Sequence, residues 1–376
     1  MDIVPGQSDP GVAAPIHSER FEFRGNGGEY FRIWIVNLAL SIVTLGIYSA
    51  WAKVRRLKYF YGNTVLAGSS FGYHADPVKI LKGRLIAVAF FVFYSFAGEI
   101  SVVLGALAAV ALFIGIPWIV VRSRMFMMRM SSYRNIRFGF DQDYGGAVKV
   151  FVGIGMLVGL TLGTLFPYWE KRRWEFLVGK SRYGRTAFVP SFGTGAFYAL
   201  YGKAFLVLLG AFMLLLAPIA ALFAVGASFL PDLREILSSM ETAPTQAADA
   251  PDMAAVLAIA GGAYLVMIPV FIAFGAYVQK HVLNTVYSNT ALGPHRLLST
   301  LRFRSLFWLY LSNTFLIILT VGLFIPWAQV RAARYRAQCL TLETAGSLDD
   351  FIANELEAGN ATGDELGEFF DVDLGL

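Results

Sequence analysis

The chain has 376 residues, 56% hydrophobic and 15% charged, with a formal net charge of +5 and a mean hydropathy of +0.58. Soluble enzymes of this size carry about 25% charged residues, and the apolar excess here is gathered into uncharged blocks, which excludes an ordinary soluble domain. The single Cys339 leaves too few thiolates for an intrachain disulfide, an iron–sulfur cluster or a structural zinc site, and the bases flank the apolar blocks, where they act as topology signals and not as a nucleic-acid surface.

Residues 1–20 carry Asp2, Asp9, Pro5, Pro10 and Pro15 and no apolar h-region, so a disordered N-terminus without a signal peptide is expected. The first uncharged block is 33–52. Block 85–121 is too long for one helix and suits two, with a turn near Gly98–Gly105; Glu99 is its only charge. Blocks 150–169, 204–230, 253–279 and 305–330 follow. Between the fourth and fifth of these six blocks lies an acidic linker, 231–252. The tail after Ala345 has nine Asp or Glu and no base. It is expected to be a mostly disordered extension, 345–376, with a short helix around "SLDDFIANELEA".

Three lines of the sequence echo one another: "TLGIYSAWAKVRRLKY" (44–59), "TLGTLFPYWEKRRWEF" (161–176) and "TVGLFIPWAQVRAARY" (320–335). A shift of 276 lays Phe31, Asn37, Thr44, Gly46, Trp51, Arg55 and Tyr59 on Phe307, Asn313, Thr320, Gly322, Trp327, Arg331 and Tyr335. A shift of 117 brings in Thr161, Gly163, Tyr168 and Arg172, with Trp169 one place on. Tyr-x-Asn recurs at 61–63, 133–135 and 287–289, and "NTVLAGSSFGY" suits a short hairpin. The unit is a short apolar segment, a basic linker with some strand character and a pair of longer helices. Units fall at about 21–121, 133–279 and 296–344 within a membrane domain 21–344. The expected fold is an all-α polytopic membrane protein with internal repeats. Long helix pairs, three short repeated apolar segments and small strand-like linkers make it up.

The stretches "EYFRIWIVNLALSIVTLGIYSAWAKVRRLKYFYGNT", "FGYHADPVKILKGR" and "LFWLYLSNTFLIILTVGLFIPWAQVRAARY" resemble the YjgN-type inner-membrane proteins of bacteria, a domain family of unknown function. The resemblance spans roughly residues 20–344. It implies the bacterial inner membrane and carries no activity, substrate or catalytic residue with it.

Charge counting bears on the three short segments. If all seven segments span, 17 Lys and Arg lie inside against 14 outside; if the three short ones re-enter, 30 lie inside and Arg234 alone outside. Positive-inside bias favours the second arrangement, which places the acidic linker in the periplasm. Thr-x-Gly, followed by Pro in two copies, breaks a helix. Trp51, Trp169 and Trp327 suit the headgroup level, and Arg55, Arg172 and Arg331 lie within reach of lipid phosphate. A spanning segment remains compatible with the length of each block.

Glu99, Asn37 and Asn313 are the candidate intramembrane polar residues. Glu99 fits the watery outer end of a helix, and the two asparagines fit interhelical hydrogen bonds. His17, His74, His281 and His295 have no metal-ligand spacing. The Gly-rich "RGNGGEY" (24–30) is turn chemistry, since it lacks the Lys-Ser/Thr of a phosphate loop. No catalytic constellation and no cofactor is expected. The expected partners are anionic headgroups at the cytoplasmic face, with a protein partner or homo-oligomer left open and no nucleic acid. The leading function is a non-enzymatic module that organises lipids or partners. A repeat-built transporter or channel comes second and a lipid-modifying enzyme last.

Overall fold

The computed structural model describes residues 16–229 and 253–361. The chain forms two compact units. Of the described residues, the larger holds 16–197, Leu283–Leu301 and 316–361; the smaller holds 198–229, 253–282 and Arg302–Phe315.

In the larger unit eleven strands make one antiparallel sheet: β1 (Ile16–Arg20), β2 (Glu22–Phe23), β3 (Thr64–Leu66), β4 (Ser69–Tyr73), β5 (Ser131–Tyr133), β6 (Ile136–Phe140), β7 (Ser181–Tyr183), β8 (Thr186–Pro190), β9 (Thr290–Leu292), β10 (His295–Ser299) and β11 (Leu340–Ala345). Their order is β1-β11-β10-β9-β8-β7-β6-β5-β4-β3-β2. The two ends of that order are parted in sequence only by Phe21, whose N–H donates to the Leu340 carbonyl at 3.1 Å. The sheet therefore curls into a barrel whose seam is the chain itself.

This corrects the all-α expectation. The linkers are not merely strand-like; they pair with one another. The reason is physical: the strands are two to six residues long, and six of the ten strand pairings join segments distant in sequence, as when Phe71 pairs with Tyr133 and Phe188 with Leu292. Short strands carry too few alternations to show a period. Residues 16–20, expected to be irregular, are β1.

The described residues hold eleven helices: α1 (Gly27–Val43), α2 (Ser49–Gly62), α3 (Pro77–Ile100), α4 (Val102–Arg129), α5 (Tyr144–Leu160, π-helical over Val148–Ile154), α6 (Phe166–Gly179), α7 (Thr194–Phe229), α8 (Met253–Ser288), α9 (Phe303–Leu319), α10 (Ile325–Gln338) and α11 (Leu348–Ala361). Starts are set by short polar side chains: Asn26 accepts from Gly28 N at 2.8 Å, Asp76 from Val78 N at 2.9 Å and Asp143 from Gly146 N at 2.7 Å. Pro77 occupies the first turn of α3, where no N–H is needed.

Each outgoing helix is tied at its root to the helix that returns. Arg24 N bonds Asn63 O at 2.9 Å, and four bonds of 2.8 Å repeat this: His74 to Met130, Asp141 to Lys180, Ser191 to Asn289 and Thr300 to Cys339. The segments α1–α2, α3–α4 and α5–α6, like α7 with α8 and α9 with α10, thus leave the sheet and come back to it. The helices Pro77–Ile100, Val102–Arg129 and the Thr194–Met213 part of α7 are long and apolar enough to cross a membrane.

Inside the barrel, residues opposite one another share a face. Leu66, Tyr133, Ile136, Tyr183, Leu292 and Leu342 form its buried core, with Phe71, Phe138 and Phe188 packed on them. The Tyr133 hydroxyl donates to Leu66 O at 2.7 Å and the Tyr183 hydroxyl to Tyr133 O at 3.1 Å, so the polar ends of these rings are satisfied. Helix α11 closes the end formed by the hairpin turns. Its Ile352 is buried in the core, Phe351 meets Tyr183 and His295, Asp349 pairs with Arg134, and Glu355 accepts from Arg185 N at 2.6 Å. The helix expected around "SLDDFIANELEA" is therefore a structural stopper. Residues 362–376 lie outside the described residues, as does the linker 231–252.

In the smaller unit the Tyr310 hydroxyl donates to the Gln279 side chain and the Tyr277 ring lies 6.4 Å from Phe303. Phe205, Leu209, Met267 and Phe271 line an apolar cleft of about 310 Å³.

Candidate functional site

The three Thr-x-Gly stretches fold alike. Each joins a helix to a shorter one through a residue at φ 50° followed by Gly: Leu45 and Gly46 (91°), Leu162 and Gly163 (85°), Val321 and Gly322 (90°). The glycine N–H reaches back five residues, from Gly46 to Ser41, Gly163 to Val158 and Gly322 to Ile317, at 2.7–2.8 Å. This is a helix stop that favours Gly, because a Cβ is disfavoured at that φ. Each threonine then serves both helices. Thr44 donates to Leu40 O at 2.7 Å and accepts from Tyr48 N at 2.9 Å; Thr320 donates to Leu316 O at 2.7 Å and accepts from Phe324 N at 3.0 Å. Thr161 makes the same pair more loosely, 2.7 Å to Leu157 O and 3.4 Å from Leu165 N.

The tips are apolar and bare. Leu45 is 94% exposed, Leu162 95% and Val321 92%. A leucine left in water this way forgoes about 2 kcal/mol that burial would supply. The returning helices α2, α6 and α10 carry bases behind these tips. Beside the first hairpin, Lys53 and Arg56 of α2 stand near Arg84 of α3. Arg84 donates to the Ser49 hydroxyl, and burial, then the nearby charges of Arg84 and Arg56, hold the Lys53 ammonium below the usual lysine range.

The sequence-derived residues fall into place around this arrangement. Trp51 is half-buried against Ala50, Val54 and Ile80. Arg55 is exposed, with its guanidinium 3.4 Å from the buried Asn37 side chain, so the structure brings those two candidates together. The Trp169 indole donates to Val150 O in the π-helical stretch at 3.0 Å. Arg172 lies over the Tyr168 ring and bonds its hydroxyl at 3.0 Å and Glu175 at 3.3 Å. Trp327 stacks on Phe31 with centroids 4.8 Å apart, and a Cβ on Gly27 would collide with its indole, which accounts for one glycine of "RGNGGEY". Arg331 is half-buried on α10 and Asn313 is buried on α9 in the smaller unit. Glu99 is exposed in the last turn of α3, beside the Ser101 break. Among the described residues no cluster of His, Cys, Asp or Glu could hold a metal ion.

A family described as bacterial protein of unknown function, DUF898, matches residues 18–369. The chain belongs to this family. Within curated DUF898-like relatives, it is 30% identical over 157 residues to the inner membrane protein YjgN of Escherichia coli K12, covering 40% of this chain and 38% of that protein. It is 32% identical over 131 residues to the Salmonella typhimurium protein of the same name, covering 33% and 32%. These alignments span well under half of the relatives. No solved structure matches this DUF898 chain.

Several residues of this DUF898 member gain a role only in the fold. In sequence, Lys53, Arg56 and Arg84 are topology charges. Tyr61 and Tyr287 were seen only as parts of Tyr-x-Asn, and Tyr61 proves to pack 5.4 Å from Tyr73 at the root end of the barrel. Burial, with Tyr61 beside it, pushes the Tyr73 phenol up to about 12. The recurring Tyr-x-Asn was the available signal. His295, taken for a linker residue, is fully buried in β10.

Proposed function

We propose that this DUF898 chain is a non-enzymatic module of the bacterial inner membrane that grips anionic lipid headgroups from the cytoplasmic side. In this reading the helix pairs α3–α4 and α7–α8 cross the bilayer as a multi-pass core. The three short helix–turn–helix segments are copies of one internal repeat. They enter from the barrel side, bury their apolar tips in lipid and return. The observation that carries the reading is the α1–α2 hairpin: a tip residue 94% exposed, both roots bonded together at the sheet, and Lys53 and Arg56 behind the tip with Arg84 of α3 bonded to Ser49 of α2. Helix α2 has 14 residues, roughly 21 Å, too short to span a core of about 30 Å. The relatives' name as inner membrane proteins supports the setting, and the positive-inside bias supports the orientation.

A transporter or channel is the second reading. It is disfavoured by the barrel's interior, which is packed with Phe, Tyr and Leu side chains and stopped by α11. The test is lipid retention. The protein is extracted into mild detergent and its bound phosphatidylglycerol counted by native mass spectrometry, for the natural chain and for Lys53→Gln/Arg56→Gln/Arg84→Gln. The expected result is loss of retained anionic lipid in the variant at unchanged fold. Equal retention would sink the reading.

A further inference from the structure

Helix α11 is joined to β11 by Gly346 and Ser347 alone, and Gly346 turns at φ 83°. The strands beneath it are held by ladders of backbone bonds, whereas α11 is held by side chains. Phe351 and Ile352 enter the mouth of the barrel, with Leu348 packed against the same core. Asp349 bonds Arg134 in the β5–β6 turn, and Glu355 accepts from Arg185 N at 2.6 Å and from the Thr186 hydroxyl in the β7–β8 hairpin. The fit is close. A Cβ on Gly184 would collide with the Glu355 carboxylate, and one on Gly293 would touch Phe351 at 3.5 Å.

Under this helix lies His295, which pairs with Leu292 across the β9–β10 turn. Its ring is fully buried, neither nitrogen has a hydrogen-bond partner among the described residues, and the Phe351 ring stands 4.7 Å away at 85°. The polar groups of the surrounding elements are engaged elsewhere. Strand β9 carries no charged residue. Arg296, the next residue of β10, is exposed and lies in register with Glu343 of β11; adjacent strand residues point to opposite faces. The Tyr133 and Tyr183 hydroxyls donate to Leu66 O and Tyr133 O. On α11, Asp349 and Glu355 are bonded as above, and Asp350 is exposed.

A buried ring nitrogen without a partner is costly, and a buried imidazolium costs far more. While α11 is in place the ring stays neutral, and burial holds its pKa below 6.5. Once α11 leaves, water reaches both nitrogens and the ring takes a proton at its ordinary pKa. A docked α11 and a charged His295 therefore exclude each other. Docking is fully favoured above pH 6.5. As pH falls below that value it weakens by up to about tenfold per pH unit, until the pKa of the docked state is passed.

We infer that α11 is a detachable stopper, released when His295 takes a proton, and that its release uncovers the apolar mouth formed by Leu66, Ile136, Tyr183, Leu292 and Leu342. This device does not rest on the lipid-gripping reading.

The experiment uses the full chain with Cys339→Ser and cysteines replacing Ala187 on β8 and Ala353 on α11, both exposed and uncharged. The two are labelled with a donor and an acceptor dye, and single-molecule energy transfer is followed in mild detergent as pH is lowered from neutral into the acid range. A single docked population is expected at neutral pH. A second, low-transfer population should then appear, its ratio to the first growing by up to about tenfold per pH unit. His295→Leu and His295→Gln, neither of which can take the proton, should lose that slope; two substitutions guard against one that fails to fold. Ile352→Ala, which weakens docking without removing the ring over His295, should raise the released share at every pH. Asp349→Asn/Glu355→Gln, uncharged at both anchors, should keep the slope. A docked population alone throughout the acid range overturns the inference. So does an unchanged slope in either folded His295 variant, or a slope that vanishes with the anchor carboxylates.

Discussion

At the scale of single residues, His295 couples the barrel to proton concentration. Its ring is fully buried, neither nitrogen has a partner among the described residues, and the Phe351 ring of α11 meets it edge-on at 4.7 Å. Burial holds its pKa below the ordinary 6.5. The charged groups of the adjoining elements are Arg296 on β10, whose register partner is Glu343 of β11, and Asp349, Asp350 and Glu355 on α11. Above pH 6.5 both folded and unfolded chains hold a neutral imidazole. As pH falls through 6.5 the unfolded chain takes the proton first, so stability is lost progressively down through the folded pKa. The thermal midpoint of the natural chain should therefore drop between pH 7 and pH 5, and that of His295→Leu should drop less. Parallel losses in both proteins would show that the acid sensitivity lies elsewhere.

At the scale of elements, the three turns are the decisive unit. Their glycines sit at φ 85–91°, where an added Cβ costs about 1 kcal/mol. Gly46→Ala, Gly163→Ala and Gly322→Ala should each lower stability by roughly that amount, and Thr320→Val by about 1 kcal/mol through loss of the cap. Chemical denaturation of the detergent-solubilised chain measures both. Neutral glycine substitutions would mean that the turn is not held at positive φ. The same elements show how far sequence patterning reaches. Thr, Gly and Arg recur at fixed spacing because a helix stop and its cap are local, so the turns were legible. The hydroxyl contacts that make Thr44 a bridge between two helices were not, since nothing in "TLG" says which carbonyl and which N–H the side chain meets.

At the scale of the whole molecule, the root bonds argue that both ends of each short segment lie on one side of the membrane. Cysteines replacing Glu29 and Asn63, Gln142 and Arg182, or Thr300 and Gln338, in a Cys339→Ser background, should label from the cytoplasmic face as pairs. A cysteine at Ser239 in the acidic linker should label from the opposite face. Carrying a linker as basic as 170–185 across the bilayer would oppose the membrane potential by about 2.3 kcal/mol per charge for each 100 mV. A pair labelled from opposite faces would convert its segment into a span and restore the inverted-repeat transporter.

The sequence by itself determined the membrane class, the apolar blocks, the repeated turns and the basic helices behind them. Those features are set by composition and by contacts a few residues apart. Only the tertiary structure decided that the linkers close into a barrel and that α11 stops it. Strand pairs such as Phe71 with Tyr133 and Leu297 with Leu342 join segments far apart in sequence, and each strand is too short to display its own period. Their pairing is specified by a shared buried face, a property that exists only once all the linkers meet.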